Sequence, residues 1–159
     1  MSRFRNLLRL HGAIANNAAG KRWISLYEQM KLMDKLNEES GRLRFTGYSD
    51  TGFNINNIFY EGSIMCHGSL ILNWTPMSFK EITSESLSIF ELLRPAPELL
   101  VLGCGRSVQF PGKDVKDFLR SNGIKLEAVD SRSAVATFNF LNDEGRLVAA
   151  AILPFGSES

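Results

Sequence analysis

The sequence predicts a single layered α/β domain: a central mixed β-sheet, an N-terminal β-meander and a C-terminal β-α-β unit. Three observations lead there. Apolar residues alternate with polar ones across residues 43–74, the period of a half-buried strand. Residues 98–129 then run apolar stretch, helical period, apolar stretch, which is the pattern of a parallel crossover. A chain of 159 residues with 44% hydrophobic and 22% charged residues also has the composition of one globular domain.

Residues 1–22 read as a mitochondrial targeting segment. Five of the 18 basic residues (Arg3, Arg5, Arg9, Lys21 and Arg22) lie in residues 1–27, and none of the 17 acidic ones does. As a helix the segment is amphipathic, with Phe4, Leu7, Leu8 and Ile14 on one side and Arg5, Asn6 and Arg9 around the other. Arg9 interrupts the apolar run, which argues against a secretory signal. The competing reading is a basic tail that binds acidic surfaces. Residues 28–159 hold 13 basic and 17 acidic residues, a net charge of −4. Such a body does not attract phosphate backbones, which speaks against nucleic acid as a partner. No run reaches the ~18–20 apolar residues that a membrane-spanning helix needs.

Residues 23–42 form the next unit, a helix and a linker. Trp23, Tyr27, Met30 and Met33 recur at helical spacing, and Glu38-Glu39-Ser40-Gly41 supplies the stop. The α/β domain spans 43–155, with a short tail at 156–159.

Within the domain, Phe53, Ile55, Ile58, Tyr60 and Ile64 alternate with polar residues, and Asn56-Asn57 tolerates the positive φ of a tight hairpin turn. A second turn at His67-Gly68 separates strand 63–66 from strand 69–74, and Pro76 ends the meander. Thr83 or Ser84 caps a helix that buries Leu87, Phe90 and Leu93 and stops at Pro95. Residues 98–102 are a strand buried on both faces. A helix follows from about Lys113 to Ser121, with Val115, Phe118 and Leu119 inward and Asn122-Gly123 as its stop, and then a strand over 124–129. Residues 131–141 are ambiguous. Val, Thr and Phe favour a strand, whereas Ser131 as cap and Gly145 as stop favour a helix. Residues 146–153 are a strand ended by Pro154.

One segment suggests a cofactor. A strand running into Gly103-Cys104-Gly105, with Asp130 placed 25 residues later, resembles the nucleotide loop of an S-adenosylmethionine-dependent methyltransferase. Two features argue against it: Ser107 stands where a third glycine belongs, and Phe110-Pro111-Gly112 puts a turn where the cofactor helix should begin. A small-ligand or methyltransferase-like domain is therefore the alternative, with a self-associating structural domain as a third option. No catalytic constellation is legible, because His67 is the one histidine of the body and its Cys-His-Gly setting reads as a turn. Cys66 and Cys104 are too few for a disulfide framework, and with one histidine they make a poor metal set. The reading is therefore of a binding protein with no catalytic, metal or cofactor residues.

Several stretches carry a family resemblance. Ala-Thr-Phe-Asn-Phe-Leu at 136–141, Glu144-Gly145-Arg146 and Val148 through Pro154 are similar to the signature of the mitochondrial complex I assembly factor 3 family and its bacterial and archaeal relatives. Gly52-Phe53-x-Ile55, Tyr60-Glu61-Gly62-Ser63, Pro97 through Gly105 and Gly123 through Ser131 fit the same pattern, so the resemblance covers about 43–154. Cys104 and Ser131 depart from it, standing where the family usually has threonine. The resemblance implies an α/β domain and favours a helix over 132–141. It implies a non-catalytic factor located at the matrix side of the inner membrane, a place that leaves room for peripheral association with the membrane. That factor would act with a second assembly factor on early subunits of the ubiquinone module. Asn139, Glu144, Gly145 and Arg146 are the candidate partner-binding residues.

Overall fold

The computed structural model describes residues 42–158, and the readings for residues 1–41 lie outside them. Leu43–Ser159 group into one compact unit. Its first strands are β1 (Phe45–Tyr48), β2 (Gly52–Ile55) and β3 (Ile58–Glu61), an antiparallel sheet in the order β1-β2-β3. Asn56 and Asn57 make the β2–β3 turn at φ +49° and +66°, as their ease with the left-handed region predicts.

The rest of the meander belongs to another sheet. Strands β4 (Ile64–His67), β5 (Leu70–Asn73), β6 (Leu99–Gly103), β7 (Lys125–Val129) and β8 (Val148–Ile152) form a five-stranded mixed sheet in the order β5-β4-β8-β6-β7. β4 pairs antiparallel with β5 and β8, whereas β6 pairs parallel with β7 and β8. The chain leaves the first sheet at Gly62, which has φ +87°, and the buried Ser63 hydroxyl donates to the Pro76 carbonyl to hold the corner. Alternation specifies that strands exist, but their partners are chosen by long-range packing.

Helix α1 (Lys113–Ser121) carries the chain from β6 to β7, and α2 (Ser131–Asp143) carries it from β7 to β8. The ambiguous segment is thus helical. Both helices end with glycine in the left-handed region, Gly123 at φ +72° and Gly145 at φ +78°. In each, two amides turn back on the last carbonyls: Gly123 N–H to Arg120 and Ile124 N–H to Leu119, Gly145 N–H to Asn142 and Arg146 N–H to Leu141.

The sheet separates two cores. Val101, Ala150, Ile152, Ile64 and Cys66 face α2 and the small sheet, where Phe45 packs edge-on against Phe53 and Phe138 with ring centroids 5.6 and 5.5 Å apart. Leu100, Leu102, Ala149, Ala151 and Met65 face α1 and the segment after β5. That segment corrects the predicted helix after Thr83: it is two 3₁₀ turns, Phe79–Glu81 and Glu85–Glu91. Leu87 and Phe90 are buried as expected, while Leu93 is only partly covered. The strict spacing of three between Leu87, Phe90 and Leu93 suits a three-residue turn better than the α period. Trp74 Nε1 donates to the Ser86 carbonyl at 2.9 Å and ties the turn to the sheet. Among the described residues no helix is long and apolar enough to cross a membrane.

Candidate functional site

Two places gather the residues singled out by the sequence. One is the loop at the end of β6. Gly103 is required by packing, since a Cβ there would lie 2.4 Å from the Ile152 Cγ2 methyl and 3.1 Å from the Ala134 Cβ. Gly105 turns the chain at φ +95°. Its N–H, which a nucleotide loop would point at phosphate, instead donates to Ser131 Oγ at 2.9 Å, and its carbonyl accepts from Ser131 N–H at 2.8 Å. The Ser131 hydroxyl in turn donates to the Leu153 carbonyl. Ser131 is therefore not the cap of α2, as its position suggested, but a fully buried first helical residue joining the ends of β6 and β8. Asp130 is the cap: its carboxylate accepts from Ser133 N–H at 3.0 Å and from the Ser133 hydroxyl at 2.6 Å.

Partial burial would raise the Asp130 pKa. The Ser133 hydroxyl and the N–H groups of Ser133, Asp130 and Arg132 outweigh it and hold the carboxyl below the ordinary aspartate value. The residues after β8 cover the same loop. Gly156 N–H donates to the Asp50 carbonyl at 3.1 Å, and Ser157 lies against Gly105, so these two residues read as tail are packed into the domain. Arg106 stacks 5.3 Å above the Phe155 ring and reaches Asp50 at 3.4 Å. A shallow hollow of about 540 Å³ remains, lined by Cys104, Arg106, Ser107 and Gln109 on one side and by Gly156 through Glu158 on the other. The amide that a nucleotide needs is committed within the fold, and the Asp130 carboxylate caps α2.

Burial raises the pKa of Cys66 and of Cys104, which favours the neutral thiol over the thiolate at both positions. His67 Nε2 lies 2.7 Å from the Pro95 carbonyl, while its buried Nδ1 has no hydrogen-bond partner among the described residues. Among the described residues no group of three acid, histidine or cysteine side chains is placed to hold a metal.

The second place is the C-terminal end of α2. Asn139 pairs its amide with one residue of β1: it accepts from Phe45 N–H and donates to the Phe45 carbonyl, both at 2.8 Å. Asn142, one turn on, donates to the Leu43 carbonyl at 2.9 Å. The two amides act as an extra strand along the edge of β1. This pairing was missed in the sequence, although an Asn-x-x-Asn spacing on one helix face is its signal. Glu144 is exposed at the end of the helix, Gly145 turns the chain, and Arg146 meets Glu98 at 3.6 Å. Near them in sequence, Phe140 is 65% exposed and Leu147 42% exposed. The end of α2 thus offers two large apolar side chains among charged ones.

A family described as "Protein of unknown function (DUF498/DUF598)" matches residues 45–153, the whole of the two sheets and both helices. Two curated relatives are named "NADH dehydrogenase [ubiquinone] 1 alpha subcomplex assembly factor 3". The one from Xenopus tropicalis is 38% identical, covering 79% of this chain and 69% of the relative. The one from Danio rerio is 44% identical, covering 67% and 62%. The chain belongs to the complex I assembly factor 3 family. Its fold is also that of bacterial relatives. A crystal structure of a Bordetella parapertussis protein superposes with a TM-score of 0.66 at 29% identity, covering 72% of this chain and 97% of that one. The assembly factor 3 family thus shares a domain with bacterial proteins, which here comprises the two sheets and their helices.

Proposed function

We propose that this chain is a mitochondrial assembly factor for respiratory complex I and that it works by binding, without catalysing a reaction. The relationship to proteins named for that role, over the whole described domain, carries the reading. The geometry agrees with it in a specific way. Gly105 and Ser131 spend their polar groups on the fold itself, and Asp130 caps α2.

In its finer form, residues 1–22 direct the chain to mitochondria, where it acts at the matrix side of the inner membrane as a peripheral protein. There it holds early matrix-arm subunits of the ubiquinone module together with a second assembly factor. The partner surface is the end of α2, where Glu144 and Arg146 flank the Gly145 turn near Phe140 and Leu147. Asn139 serves that surface by fixing α2 against β1.

Deletion of the gene tests the role. An early complex I intermediate should accumulate, and the tagged chain should co-purify with matrix-arm subunits. Normal amounts of finished complex I in the deletion strain would overturn it. Replacing Phe140 and Glu144 together with serine and lysine tests the surface: co-purification should fall at unchanged stability. Retained subunits would move the surface elsewhere.

A further inference from the structure

We infer that β7 pairs antiparallel with β7 of a second copy of this chain, centred on Leu126, so that two five-stranded sheets join into one. Among the described residues β7 is the terminal strand of its sheet, with β6 as its single neighbour. Lys125 N–H donates to the Glu98 carbonyl at 3.0 Å and the Val129 carbonyl accepts from Cys104 N–H at 2.8 Å. The backbone of the odd-numbered residues is therefore turned toward β6. By the alternation of a ladder, the N–H and C=O groups of Leu126 and Ala128 point away from it.

The edge is also incompletely covered. Leu126 and Ala128 are only partly buried against the α1 core, as are Leu99 and Val129 on the opposite face. Beside the edge lies an open pocket of about 620 Å³ with Leu119, Ile124 and Leu126 in its lining and Lys116 and Arg120 among its charged residues. The other sheet treats its edge differently, since the backbone of Phe45 in β1 is capped by Asn139.

The side chains identify the occupant. Residues 124–128 read Ile-Lys-Leu-Glu-Ala. Placed antiparallel against itself about Leu126, this segment sets Lys125 opposite Glu127 of the second copy, twice. It also sets Ile124 opposite Ala128 and Leu126 opposite itself. Opposite charges across a strand pair attract and like charges repel. Sliding the pairing to centre on Lys125 brings the two lysines together, and centring it on Glu127 brings the two glutamates together. One register is therefore selected. Charged residues normally guard an edge strand against pairing. Here their opposite signs, two residues apart, admit a copy of the same strand and disfavour an uncharged or single-sign one.

Charge reversal tests this on the purified full chain, independently of any role in complex I. Sedimentation velocity over a range of concentrations should show the native chain dimerising. Lys125→Glu and Glu127→Lys should each be monomeric, because each sets like charges opposite one another. An equimolar mixture of the two variants should recover a one-to-one dimer, as should the double variant with itself. Leu126→Pro should also be monomeric with its fold retained, since it removes an N–H that points away from β6, and circular dichroism checks that the fold persists. A native chain that stays monomeric, or single reversals that leave the dimer intact, would overturn the inference.

Discussion

Gly105 and Ser131 hold each other through two hydrogen bonds, N–H to Oγ at 2.9 Å and carbonyl to N–H at 2.8 Å, at the point where β6, β8 and α2 meet. Ser131 is fully buried, so its hydroxyl is worth more than an exposed one. Removing it leaves the Gly105 N–H unsatisfied and deprives the Leu153 carbonyl of its donor. Ser131→Ala should cost about 2–3 kcal/mol, the usual range for stranding a buried partner. Threonine keeps the hydroxyl and should cost less. Urea denaturation of the three proteins checks the order; equal midpoints for alanine and serine would remove the hydroxyl from this account.

The same pair bears on ligand binding. With its N–H on Ser131 and Ser157 packed above it, Gly105 has no amide to offer a phosphate or a carboxylate. Titration calorimetry with S-adenosylmethionine or NAD should give no binding heat. A measurable heat that disappears in Gly105→Val would reinstate the nucleotide reading.

Gly103→Ala addresses packing. The new methyl would sit 2.4 Å from Ile152 Cγ2, closer than any real contact, so β6, β8 or α2 must shift. Overpacking of this kind costs about 1–3 kcal/mol. Leucine at 152 moves the branch away from Cβ and should recover part of the loss in Gly103→Ala/Ile152→Leu. A double-mutant cycle reads that coupling. Strict additivity would show that the Ile152 methyl is not the obstacle.

How far the sequence reaches can be judged residue by residue. Helix α1 has the predicted bounds, Lys113–Ser121, because its period, its glycine stop and its burial all agree. The Asn56-Asn57 turn was equally legible, since few residues accept two consecutive positive φ values. The division of the meander was not. Ile64 and Ile55 follow the same alternation, but one pairs across to Ile152 and the other to Ile58. Ser131 shows the same limit within the candidate site. A serine after a strand and before a helix looks like a cap, and only the third dimension reveals that Asp130 caps while Ser131 binds a loop 26 residues back.

Asp130 makes stability respond to acid. Its folded pKa is lowered, so it contributes stability that is present above the unfolded value, near 3.8, and is lost as pH falls through the folded value. Because the carboxylate is largely open to water, the effect is small. Asp130→Asn keeps a good capping side chain without the charge. Thermal melts from pH 6 down to about pH 2 should converge for the two proteins at the acid end. A constant gap across that range would assign the effect to hydrogen-bond geometry and not to ionisation.

Asn139 gives the sharpest separation of fold from partner binding. Both polar atoms of its amide are engaged by Phe45, so aspartate can still accept from Phe45 N–H but cannot donate to the Phe45 carbonyl. Asn139→Asp should therefore lower stability by about 1–3 kcal/mol and speed hydrogen exchange across β1, with α1 unaffected. Glu144→Gln, on an exposed carboxylate at the helix end, should leave both readouts within about 0.5 kcal/mol of the native protein. If Asn139→Asp left β1 as protected as before, the amide would not be what docks the small sheet onto α2. Its place at the end of α2 would then have to be explained by a partner alone.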